Sequence, residues 1–176
     1  MNNQILKQQT QGFHDKIEQI MHADLLFKNR FTREHYKQLI THSYRYITAV
    51  LPKVKDDWKD LSKLLLQKQQ ALLVDLKHLH VEEVSSSLAI NATSSYYKLG
   101  MIYIVLGAML GNKIILNKLK QYPEFEGYPF AYLSEHQEQL SSLWKDFQTL
   151  INSLDSGQLQ EVIRGAKDGY LLFGQQ

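Results

Sequence analysis

Apolar residues recur at helical spacing along nearly the whole chain, and no stretch shows the sustained alternation of a half-buried strand. Ile5, Leu6, Phe13, Ile17, Ile20 and Met21 mark one helix from Ile5 to about Met21. Ala23 to Phe31 reads as a linker. Thr32 is a good N-cap and Glu34 suits the first turn. The helix they open is expected to reach about Leu51, where Pro52 stops it. Leu61, Leu64, Leu65, Leu72, Leu76 and Leu79 give a further stripe within a helix from Trp58 to Leu79. Val81 to Asn91 is ambiguous, because Ser85-Ser86-Ser87 weakens any helix there. A long helix is expected from about Thr93 to Lys120. An aromatic loop with prolines follows, Tyr122 to Tyr132, and two helices close the chain, roughly Ser134 to Asn152 and Gln158 to Phe173. The pattern predicts an all-α protein, about six helices packed as one domain over residues 1–176.

Composition narrows the function classes. The chain is 44% hydrophobic, enough for a sizeable core. Lys and Arg number 20 against 18 Asp and Glu, a net charge of +2, so no basic face points to nucleic acid and nothing points to a membrane surface. With no cysteine, disulfides, iron–sulfur clusters, Cys-ligated zinc and thiol nucleophiles are excluded. The opening MNNQILKQQTQ has no apolar core and no cleavage site, so no signal peptide is expected. The most apolar stretch, Leu99 to Leu110, is shorter than the ~20 residues that span a bilayer. A cytoplasmic protein is expected.

The long helix carries Gly100, Gly107 and Gly111 in its interior, where each glycine costs ~1 kcal/mol relative to alanine. Gly107 and Gly111 share a face. Either a second helix crosses closely there or a flat ligand lies against the backbone, and periodicity does not separate the two. Of the histidines, His78 and His80 point to different faces and make a poor metal pair. No Glu-x-x-His occurs, which argues against a di-iron carboxylate bundle. His14 differs from the rest through its neighbours. Glu18 lies one turn later, where it could accept from the second ring nitrogen and fix the imidazole as a ligand. Lys7 lies two turns earlier, where it could meet a ligand carboxylate. A plain solvated stripe is the alternative.

At these positions the chain resembles the haem oxygenase family. Leu6-Lys7-x-x-Thr10-x-x-x-His14-x-x-x-Glu18 is similar to the proximal helix, and Gly100-x-x-Tyr103-x-x-x-Gly107-x-x-x-Gly111 to the distal helix. Phe31-Thr32-Arg33-Glu34-x-Tyr36, Tyr44-x-Tyr46, Leu73-x-Asp75-Leu76-x-x-Leu79 and Val162-Ile163-x-x-Ala166-Lys167 with Tyr170 follow in the family's order. The resemblance implies a haem between two helices, with His14 as axial iron ligand, Glu18 behind it, Lys7 and Thr10 beside the cofactor, and Gly107 and Gly111 against the porphyrin. It implies oxidative cleavage of haem, both substrate and cofactor, to biliverdin, carbon monoxide and iron. Dioxygen and an electron-donor reductase are the implied partners, since the chain has no flavin or nicotinamide motif.

The chain departs from the family on the distal side. Many members have an Asp where Ala108 stands and many bacterial ones a Glu where Leu106 stands; the terminal glycine pair is Gly111-Asn112, and a propionate-binding Arg corresponds to Gln148. His42, Tyr44, Tyr46 and Asn112 are the candidates to replace the missing polar groups. A haem carrier or sensor without turnover, and a cofactor-free helical interaction module, are the alternative functions.

Overall fold

Helix α5 (Ser95–Leu119) runs through the middle of the protein because it is apolar on nearly every side. The computed structural model describes residues 1–84 and 88–175. Ser94 caps α5 by accepting from the Tyr97 N–H. Its principal neighbour is α8 (Ser156–Phe173), capped by a reciprocal Asp155–Gln158 pair. The two cross at Gly100 and Gly165: a Cβ on Gly100 would overlap the Val162 carbonyl, and one on Gly165 would overlap the Tyr97 carbonyl. Around this pair pack α1 (Asn2–Ile20), α3 (Arg33–Val54) and α7 (Leu140–Asn152). On α3 lies α4 (Lys59–His78). Two short helices, α2 (Ala23–Phe27) and α6 (Ala131–Ser134), and a 3-10 turn at Pro123–Phe125 complete the described residues, which contain no strand.

Several boundaries differ from the sequence expectation. The linker after α1 contains α2, because Leu26 is buried and an Asp24–Lys28 pair supports the turn. Pro52 does not stop α3, which continues to Val54; the proline lies exposed in the last turn and burial of Val54 holds the turn closed. The helix expected from Ser134 is interrupted at extended Glu135 and left-handed His136 (φ 64°), so α7 begins only at Leu140. The described residues therefore hold eight α-helices, not six. Ser85, Ser86 and Ser87, where the sequence was ambiguous, lie outside the described residues. The apolar stretch is also longer than expected: by length and composition α5 could cross a membrane, with mean hydropathy 1.8, and 56% of that window is buried inside the bundle.

Two buried ionisable side chains of α4 hold α6. The Asp75 carboxylate accepts from the Tyr36 hydroxyl (3.1 Å) and from the Ala131 and Tyr132 N–H groups (3.1 and 2.9 Å), capping α6 from a neighbouring helix. Burial lifts its pKa against the pull of these donors. Lys68, fully buried, donates to the carbonyls of Tyr132 (3.1 Å) and Glu135 (2.6 Å) beyond it. Burial pulls its pKa down to about 8.

Candidate functional site

Where α1 passes α5 and α7, the surface opens into a cleft of about 470 Å³. That is within the usual range for a small-molecule site. Lys7, Thr10, His14 and Glu18 line it from α1, and Tyr103, Gly107 and Gly111 from α5. The expected axial ligand, its neighbours on α1 and the two expected glycines are all on this one surface. Trp144 and Gln148 of α7 and Tyr170 of α8 close it. Three other clefts are larger: about 780 and 850 Å³ on the side of α4 facing His136 and Gln139, and about 650 Å³ beside Tyr44, Lys77 and His80; none adjoins the glycine face of α5.

The two glycine alternatives now separate by position. The close helix crossing is at Gly100. A Cβ on Gly107 or Gly111 would meet nothing within 4 Å. Their bare backbone therefore faces the opening, flanked by the exposed apolar side chains of Leu110 and Ile114, which share this face.

The walls differ in character. Tyr103 stacks on Trp144 (6.2 Å between ring centroids) and on Phe147 (6.1 Å). Burial raises the pKa of both the Tyr103 and Tyr170 phenols, so both stay protonated and neutral near pH 7. Thr10 is not a free polar group: it is buried and its hydroxyl donates to the Leu6 carbonyl (2.8 Å). His14 is half-exposed and meets the edge of Tyr170 at 6.2 Å. Its Nε2 lies 3.8 Å from Glu18 Oε1 and its Nδ1 3.7 Å from Asp15 Oδ1, and Nδ1 is shut off from solvent without a hydrogen bond. In this ring orientation Glu18 neighbours the accessible nitrogen rather than the one behind it, where the sequence put it.

The candidate distal substitutes all lie elsewhere. His42 pairs through Nδ1 with the Phe173 carbonyl (2.8 Å), and Tyr46 donates to the Met101 carbonyl (2.8 Å). Tyr44 lines a different cleft, beside Lys77 and His80. Asn112 is buried and lines no part of the cleft, and its Nδ2 has no hydrogen-bond partner among the described residues. Leu106 is buried, and neither it nor Ala108 lines the cleft. Sequence reasoning missed Gln11, Leu110, Ile114 and Trp144. Leu110 and Ile114 carried a legible signal, since apolar residues flanking glycines on one helix face mark an apolar opening. Gln11 and Trp144 carried none.

No protein-family model matches the chain, and no curated protein matches it in sequence. Among solved structures, the NO- and CO-bound haem oxygenase of Neisseria meningitidis aligns with 98% of this chain and 88% of its own, with a TM-score of 0.72 and 22% identity. The chain has the haem oxygenase fold. At that identity the likeness shows how the helices are arranged. What the α1–α5 cleft binds rests on its own residues.

Proposed function

We propose that the α1–α5 cleft binds haem and that the protein cleaves it oxidatively to biliverdin, carbon monoxide and iron. One observation carries this reading: a half-exposed imidazole on one helix faces a Cβ-free stretch of another across an aromatic-walled opening. The donor set fits haem. His14 offers an imidazole to iron, Gly107 and Gly111 admit a flat macrocycle against backbone, and the apolar and aromatic walls suit its faces. Lys7, exposed at the margin, supplies a cation for a propionate, and Gln148 a neutral amide. Haem would supply both the iron that binds dioxygen and the ring that is oxidised. His14 would hold the iron through its imidazole, and Glu18, beside the ring, would bias its orientation. The electrons come from an external reductase.

A second reading, haem binding without turnover, has its own support. A reaction on bound dioxygen needs positioned donors or water with polar anchors. Tyr103 is the α5 lining residue with a polar side chain, and its ring is stacked on Trp144 and Phe147. The two readings part in one experiment. The protein is loaded with hemin, given ascorbate and air, and followed by visible spectroscopy with chromatography of the products. Biliverdin supports the oxygenase, an intact Soret band leaves a carrier or sensor, and no Soret band at all removes both.

A further inference from the structure

We propose that His14, Asp15 and Glu18 also form a binding site for a divalent first-row transition-metal cation, and that this cation competes with haem for His14. The competition rests on the haem reading; the cation site does not. Helical spacing puts Glu18 one turn from both Asp15 and His14 on α1. One ligand atom from each lies within 4.8 Å of the others. Metal bonds of ~2.0–2.2 Å put ligand atoms roughly 3 Å apart, so small rotamer changes in exposed side chains close the set. One imidazole nitrogen with two carboxylate oxygens suits Zn2+, Co2+ or Fe2+. The open cleft leaves the remaining positions to water.

Two independent features distinguish this cluster from an ordinary acidic surface. Among the described residues, neither carboxylate has a lysine or arginine ion-pair partner, and the side chain each approaches is the His14 imidazole, at 3.7 and 3.8 Å. The imidazole is also not committed to the protein, since Nδ1 has no hydrogen bond and Nε2 remains accessible beside Glu18. The Asp15 carboxylate is further fixed by Gln11, which donates to Oδ1 at 2.6 Å. His14 cannot bind a cation and haem iron through the same nitrogen. Divalent iron freed by ring cleavage belongs to the cation class this site accepts. Accumulating free iron would then lower haem loading at the site that releases it.

The test uses Zn2+ and Co2+ on the hemin-free protein. Calorimetry reads Zn2+ affinity and the visible d–d bands read Co2+ coordination. The expected result is one cation per chain, with His14→Ala, Asp15→Asn and Glu18→Gln each weakening Zn2+ at least tenfold. Saturating Zn2+ should weaken hemin binding at least tenfold in the unmodified protein. Asp15→Asn should keep its hemin affinity and lose the Zn2+ effect. No stoichiometric binding, or Zn2+ affinity unchanged by the three substitutions, overturns the site. Hemin binding that ignores saturating Zn2+ overturns the competition. If Zn2+ behaves as stated and hemin gives no Soret band, the cation site stands and the haem reading falls.

Discussion

At the scale of single residues, the three glycines of α5 do different work, and alanine substitution separates them. Gly107 and Gly111 face open space, so alanine should leave the hemin-free protein no less stable and up to ~1 kcal/mol more so, from helix propensity. Hemin affinity should fall, because the new methyl stands where the macrocycle would lie. Gly100→Ala must push against the Val162 carbonyl and should cost about 1–3 kcal/mol. Urea unfolding with parallel hemin titrations reads both effects; stability lost at 107 or 111 with hemin affinity unchanged would assign them to packing instead. Ala108 lines no part of the cleft and gives a second prediction. Ala108→Asp should leave hemin affinity and Soret decay under ascorbate unchanged. A faster decay with more biliverdin would place position 108 beside the bound haem. That all three glycines lie inside one helix was legible in sequence. Which of them is a crossing was not, because that depends on Gly165, far along the chain.

At the scale of elements, the motif around Asp75 has a structural explanation. Leu73-x-Asp75-Leu76 and the Tyr36 stretch meet at one buried carboxylate that organises α3, α4 and α6. Asp75→Ala leaves the Tyr36 hydroxyl and two N–H groups without their acceptor. At about 1–3 kcal/mol per buried orphan the loss should be about 3 kcal/mol or more. Asp75 lines no part of the α1–α5 cleft, so hemin affinity measured well below the melting temperature should hold. A parallel loss of hemin binding would show that α6 supports the cleft. The long helices were legible because α1, α3, α4 and α8 present an apolar stripe and α5 is a long, nearly continuous apolar run. The short ones were not: α2 and α6 are fixed by Leu26 burial and by a carboxylate from another helix, and neither cause appears in local sequence.

At the scale of the whole molecule, buried lysine and buried tyrosines predict a stability maximum on the alkaline side. Below about 8 Lys68 is protonated in both folded and unfolded chains, and folding buries an ammonium. From there to its ordinary value of 10.5 the native state has released a proton that the unfolded chain still holds, so stability rises with pH. The tyrosines act in the opposite sense. Burial raises the pKa of Tyr36, Tyr46, Tyr132 and Tyr170, so their contribution is present below pH 10 and is lost as pH climbs through the folded values. Stability should therefore climb from about pH 8 to about pH 10 and then drop, with tyrosinate absorbance appearing as the protein unfolds. Lys68→Met should flatten the rise; an unchanged rise in that variant would locate its cause elsewhere. The all-helical class was open to sequence reasoning at this scale, because helical periodicity marks the outer long helices and no segment alternates as a strand would. The cleft came from a family resemblance, since no local pattern says that α1 and α5 face each other.

The claim on which the functional account turns is that His14 holds a haem iron in the α1–α5 cleft. Hemin titrated into the protein, followed at the Soret band, tests it with His14→Ala and added imidazole. The account predicts a saturable six-coordinate ferric spectrum at one hemin per chain, its loss in His14→Ala, and its return when imidazole is supplied. An unchanged spectrum and hemin affinity in His14→Ala would contradict it.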